Sequence, residues 1–212
     1  MTTVLVDYDS GNLHSAEKAF QRMAREAGAG AVIVSDRAED VAAADRIVLP
    51  GDGAFPACRR ALAARGGLWE AITEAVEARG RPFLGICVGM QLMARVGHEY
   101  EEVPGFGWID GEVVRIAPSD PGLKVPHMGW NDLVLERPHP VLAGLATGDH
   151  AYFVHSYHME VATPAQRLAV AEYGAPVTAI VGRDTVIGTQ FHPEKSQGPG
   201  LRLIANFLAW AP

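Results

Sequence analysis

Pro82-Phe-Leu-Gly-Ile-Cys87-Val-Gly-Met-Gln91 is the stretch that decides the fold. Residues 82–86 are an apolar run with the length of a buried strand, and after Cys87 a helical pattern resumes as far as Ala94. Gly85 and Gly89 stand two residues to either side of the cysteine. That spacing is the pattern of a nucleophile elbow, a strand-to-helix turn so tight that a flanking Cβ would meet neighbouring backbone, here with sulfur in place of a hydroxyl. Such a turn exposes the side chain above the sheet at the start of a helix. A thiol there meets the positive end of the helix dipole, which favours the thiolate, and the N–H of Val88 is free to stabilise an oxyanion. Free cysteine is also a common small buried hydrophobe, so the motif needs partners before it means chemistry. Cys58 has no such context and reads as a packing residue.

Working outward, the segments before the elbow alternate in type. TTVLVDY opens the chain as a short strand. Ala16, Phe20, Met23 and Ala27 then recur at helical spacing from Leu13, with Gly28 as a stop. AVIVS (31–35) and RIVLP (46–50) are further short apolar runs, followed by helical patterns over 57–64 and 68–78. This order predicts βαβ units around a mostly parallel sheet. The second half reads as strands with few helices between them: 111–116, 132–136, 151–156, 167–173, 176–182 and 185–191. Hairpins beside the parallel sheet account for these. A last helix over 199–210 places Leu201, Ile204, Phe207 and Leu208 on one face. The expectation is an α/β fold with a mostly parallel central sheet, flanking helices and additional antiparallel strands in the second half. With no repeat, linker or low-complexity tract, residues 1–212 read as a single domain.

Composition narrows the function classes. A net charge of −7 argues against a nucleic-acid surface, which needs clustered Lys and Arg. MTTVLVDYD has no basic segment followed by a long apolar run, and no stretch has the apolar length of a membrane helix. Two cysteines are too few for a disulfide framework. A cytoplasmic protein is expected.

The partners that the cysteine needs lie near the C-terminus. Strand 185–191 runs into His192-Pro193-Glu194. Proline keeps the residue before it extended, and residues two apart on an extended chain share a face. His192 can therefore serve as base to the thiol while Glu194 orients its ring. His155-x-x-His158 is the one pair with metal-ligand character. No Cys or carboxylate completes it at a recognisable spacing, so no metal or other cofactor is expected.

The elbow GICVGMQ, the late HPE and the glycine-rich Pro50-Gly-Asp-Gly53 together resemble the class I, triad-type glutamine amidotransferases nearly end to end. The resemblance implies attack of Cys87 on the side-chain amide of glutamine, with His192 and Glu194 completing the catalytic triad. It also implies oxyanion donation from the backbone of Val88 and Asp52, on a strand framed by Gly51 and Gly53. Gln91 and Glu99 match positions that hold the substrate, and Ser156 and Tyr157 match backbone contacts to it. Position 52 departs from the pattern, with Asp where an apolar residue is usual.

Three more segments resemble one branch of that family, the glutaminases of imidazole glycerol phosphate synthases: Tyr8-Asp-Ser-Gly-Asn-Leu-His-Ser15, Pro126-His-Met-Gly-Trp-Asn131 and Tyr152-Phe-Val-His-Ser-Tyr157. The implied partner is a (β/α)8-barrel cyclase, forming a heterodimer. Asn12, Trp130, Tyr152 and Lys195 match positions near its interface. A glutaminase subunit of another ammonia-transferring synthase is the alternative. Because Gly51 and Gly53 bracket Asp52, this strand is expected to reorient its peptide at little steric cost. A resting state whose Asp52 N–H is turned from the oxyanion is expected too.

Overall fold

The computed structural model describes residues 1–212. The first half alternates as read, with the unread helix α2 added: β1 (Thr2–Val6), α1 (Leu13–Ala27), β2 (Ala31–Ser35), α2 (Ala38–Ala43), β3 (Arg46–Gly51), α3 (Phe55–Ala64), α4 (Leu68–Thr73) and β4 (Phe83–Cys87). A π-helical turn, Glu74–Ala78, continues α4. On α1 the buried residues Ala16, Ala19, Phe20, Met23 and Ala24 form the apolar stripe that fixes it to the sheet. Then come α5 (Val88–Gln91), β5 (Ala94–Gly97), β6 (Val103–Pro104), β7 (Ile109–Arg115), β8 (His127–Asp132) and β9 (Val134–Leu135). The chain ends with β10 (His150–His155), β11 (Tyr157–Val161), β12 (Arg167–Glu172), β13 (Pro176–Arg183), β14 (Val186–Thr189) and α6 (Gln197–Ala209).

The main sheet has eight strands in the order β2-β1-β3-β4-β14-β13-β12-β9. Pairing is parallel from β2 through to β14 and antiparallel from β14 to β9. A four-stranded sheet, β11-β7-β5-β6, and the antiparallel pair β10-β8 complete the second half. This is the expected mostly parallel sheet with antiparallel additions. Register places the chemistry: Gly51 of β3 lies opposite Cys87 of β4, and Ile86 opposite Thr189 of β14. Three neighbouring parallel strands thus end together, delivering Asp52, Cys87 and the Gln190–His192 segment to one edge.

Several elements differ from the sequence pattern. The helix after Cys87 lasts one turn instead of reaching Ala94. The carbonyls of Leu92, Met93 and Ala94 accept N–H groups of Phe106, Ile109 and Gly107, so a second sheet captures the backbone that a longer helix would use. β8 was hidden because Met128 and Trp130, 62% and 48% exposed, point outward where a strand usually sets polar residues. The run at 132–136 yields only the two-residue edge strand β9. Outside the segments read as elements lie β11, although its Tyr157, Met159 and Val161 alternate with polar residues, and the six-residue α2, in which Val41 alone is buried.

Candidate active site

Cys87 sits at the junction of β4 and α5 with φ +55° and ψ −112°, a strained setting for a side-chain-bearing residue. The flanking glycines are what permit it. A Cβ on Gly85 would stand 2.5 Å from the Gly89 carbonyl oxygen, and one on Gly89 would stand 1.8 Å from that of Leu49. Since α5 is a single turn, its dipole offers the sulfur less than a full helix would.

His192 is extended, with φ −92° and ψ 101°, and its Nδ1 lies 2.9 Å from Glu194 Oε1. Both side chains are almost wholly buried. A carboxylate accepts, so Nδ1 carries the proton and Nε2 is the nitrogen available to Cys87. Burial alone would lower the imidazole's pKa. Its interactions with Cys87 and Glu194 outweigh that and raise it. Nε2 has no partner in hydrogen-bond geometry, although the thiol is near enough to act on the ring. Such contacts commonly tighten only when substrate is bound. The backbone of His192 is pinned: its N–H donates to the Tyr152 carbonyl, while Ser196 Oγ donates to the His192 carbonyl and accepts the Tyr152 N–H.

In front of Cys87 opens a cavity of about 210 Å³ lined by seven of the eight candidate substrate residues: Asp52, Gly53, Val88, Gln91, Glu99, Ser156 and Tyr157. Gly51 is the exception. A Cβ there would meet Gly89 N at 2.7 Å and the Tyr8 hydroxyl at 2.8 Å, so this residue is packing behind the elbow. It is no free hinge, which corrects the expectation of a strand flexible on both sides of Asp52. Gly53, with φ +106° and open space around it, keeps that freedom. Glu99 Oε2 accepts the Phe55 N–H at 2.8 Å, and burial raises the pKa of its carboxyl against that bond.

The Asp52 backbone is held by Ser10. Its N–H donates to Ser10 Oγ at 3.0 Å, and the same hydroxyl donates to the Asp52 carbonyl at 2.6 Å. Cys58, buried, touches this pair, with its sulfur 3.2 Å from Ser10 Oγ and 3.5 Å from the Asp52 oxygen. The Asp52 side chain is exposed, where water screens its charge from the site.

Behind the cavity runs a polar chain. The Tyr157 carbonyl accepts from Gln91 Nε2 and from His155 Nδ1, both at 2.9 Å. His155 Nε2 must then accept, so His127 Nδ1 donates to it at 3.1 Å and Asn131 Nδ2 donates to His127 Nε2 at 3.2 Å. Burial pushes His127 down to about 4 and His155 to about 3, so both rings are neutral. No group of three or more His, Cys, Asp or Glu residues is placed to hold a metal ion.

Of the four interface candidates, three come together. The Trp130 and Tyr152 rings meet edge to face at 5.9 Å, and Lys195 Nζ lies 5.9 Å from the Tyr152 ring centre. Asn12 instead caps α1, accepting the Ser15 N–H at 3.4 Å. Two site residues carried no motif of their own, Ser196 and Gln190. The second was within reach, since Gln190, His192 and Glu194 alternate on one extended segment.

The sequence matches the model of the class-I glutamine amidotransferase family over residues 4–210. It is 78% identical to the imidazole glycerol phosphate synthase subunit HisH of Cereibacter sphaeroides and 68% identical to that of Ruegeria pomeroyi, each over the full length of both chains. A solved glutamine amidotransferase, 20% identical, superposes with a TM-score of 0.72 over 98% of this chain and 99% of its own. No helix is long and apolar enough to cross a membrane. The chain belongs to the class-I glutamine amidotransferases, within the family of HisH subunits of imidazole glycerol phosphate synthase.

Proposed function

We propose that this protein hydrolyses glutamine through Cys87, His192 and Glu194 and hands the ammonia to a partner subunit, a (β/α)8-barrel cyclase of histidine biosynthesis. The observation that carries the reading is the approach of the buried His192–Glu194 pair to Cys87, which itself lines a cavity faced by Gln91 and Glu99. The Cys87 thiolate attacks the side-chain carbonyl carbon of glutamine, and the charge that develops on oxygen meets the N–H of Val88 and, once released by Ser10, that of Asp52. His192 Nε2 gives its proton to the leaving nitrogen, so ammonia departs and a γ-glutamyl thioester remains. Water then loses a proton to Nε2, attacks the thioester and expels the thiolate, leaving glutamate. Glu194 holds Nδ1–H throughout.

The partner reading draws on the HisH names of the full-length relatives and on the exposed Met128 and Trp130 beside Tyr152 and Lys195. An apolar face next to the site suits a subunit that caps it, keeping ammonia from bulk water. The cyclase would use that ammonia to make imidazole glycerol phosphate and an aminoimidazole carboxamide ribonucleotide, in a cytoplasmic heterodimer. In this assembly residues 1–212 act as one domain, built on one continuous core. Cys87→Ala tests the reading: glutamine-dependent synthesis by the complex should vanish while synthesis from added ammonia persists. Substantial glutaminase activity in that variant would refute it.

A further inference from the structure

We infer that Gln190 is a further catalytic residue, a neutral donor to the Cys87 sulfur whose direction is dictated by the Tyr157 carbonyl acting through Gln91. The inference rests on the reading of Cys87 as the nucleophile. Its geometry follows from what each atom is able to do. A backbone carbonyl only accepts, so the Gln91 atom 2.9 Å from the Tyr157 oxygen is its amide nitrogen. The same nitrogen stands 3.1 Å from one end of the Gln190 amide, and that end must therefore be the oxygen, Oε1. Nε2 of Gln190 is then the atom left 3.7 Å from Cys87 Sγ. Turning the Gln190 amide over would set two NH₂ groups face to face, and turning Gln91 would set two oxygens face to face. Neither flip is open to the pair.

Gln190 is also held in place. It is fully buried, and its backbone N–H donates to the Ala179 carbonyl at 2.8 Å. A donor fixed in advance at a sulfur that alternates between thiolate and thioester costs no reorganisation when charge appears. His192 cannot fill this role throughout. After protonating ammonia its Nε2 is an acceptor, waiting for the proton of the hydrolytic water. When the second tetrahedral adduct collapses, the carbon–sulfur bond breaks and its electron pair returns to Cys87. The Gln190 N–H is then already aimed at the sulfur that receives the charge. The same chain ties this donor to the pocket, because Gln91 lines the cavity as it orients Gln190.

Two variants separate the donor from mere packing. Gln190→Glu keeps the shape and the acceptor for Gln91 but turns a carboxylate oxygen toward the sulfur. Gln190→Met keeps the volume and removes both polar ends. The readouts are the rate of Cys87 alkylation by iodoacetamide at pH 7, followed by peptide mass with Cys58 as the internal reference, and kcat and KM for glutamate release by the complex. Losing a hydrogen bond to a charged group should slow alkylation in Gln190→Met about tenfold. It should lower kcat similarly with KM unchanged, and Gln190→Glu should be slower still. A Gln190→Glu variant that alkylates and turns over like the wild type overturns the inference. So does a rise in KM with alkylation unaffected, which would place Gln190 on the substrate side alone. If the wild type releases no glutamate while its alkylation still depends on Gln190, the glutaminase reading fails and this one stands.

Discussion

Removing one hydroxyl, in Ser10→Ala, is expected to raise glutamate release by the isolated subunit about tenfold. Ser10 Oγ bridges the two peptides on either side of Asp52, accepting the N–H at 3.0 Å and donating to the carbonyl at 2.6 Å. While it does so, that N–H is not available to an oxyanion. Each bond contributes roughly 0.5–1.5 kcal/mol net. Both are reached by solvent, so the pair is worth about 1.4 kcal/mol, near the low end of the combined range, which is a factor of about ten in population. Where the competent orientation is a minor one, activity rises in proportion to its population.

The assay compares glutamate release by the subunit alone with release by the complex plus the cyclase's nucleotide. Ser10→Ala should raise the first and leave the second unchanged, shrinking the activation ratio by the same factor. Ser10→Thr, which restores a hydroxyl, should fall back toward the wild type. A basal rate unmoved by Ser10→Ala would refute the latch. Equal rates in the two conditions for the wild type would refute gating altogether.

The base and its orienter should separate. His192→Ala should cost on the order of 10²–10⁴ in rate, and Glu194→Gln less, since an amide oxygen still accepts from Nδ1; the reverse order would overturn the division of roles. A glutamine-analogue alkylator should label Cys87 and spare Cys58, whose thiol burial pushes up; peptide mapping that finds Cys58 modified first would contradict the assignment. Stability should fall with pH. His127 and His155 stay neutral in the fold down to about 4 and about 3, whereas the unfolded chain protonates them near 6.5. Below that value the unfolded state binds more protons, so Tm should drop between pH 6.5 and 5. His192, raised in the fold, is already charged there while the unfolded chain still charges it near 6.5, so it opposes the trend at the top of the window, one group against two, and adds no slope by pH 5. A flat Tm there would sink the claim.

The approach of His192 and Glu194 to Cys87 was legible because its constraints are local. A cysteine between Gly85 and Gly89 needs a sharp turn, and a proline after His192 sets the base on an extended segment whose alternate residues share a face. The parallel half of the sheet was legible for a similar reason, since apolar runs and helical periods alternate along it. Long-range competition defeated the rest. The helix after Cys87 stopped early because residues 106–109, distant in sequence, claimed its carbonyls. The outward apolar side chains of β8 contradicted the pattern by which half-buried strands are recognised. Gly51 looked like a hinge from its neighbours in sequence and proved to be packed against Gly89 of α5.

Ser10 marks where control of the proposed site would cost least. The proposed base is fixed by bonds away from solvent: His192 to Glu194, Tyr152 and Ser196, with Ser196 fully buried. Breaking any of them strands a polar group away from water, at about 1–3 kcal/mol each, and several would have to break together to disarm the base. The Asp52 peptides are held by a half-exposed hydroxyl, and water can replace each bond as it is lost. A partner that binds the two Asp52 orientations with affinities differing by a few kcal/mol is therefore enough to move the oxyanion donor, and far from enough to rebuild the triad. The chemistry is assembled by folding, and the solvent-reached Ser10 contact is where a switch would act at least cost.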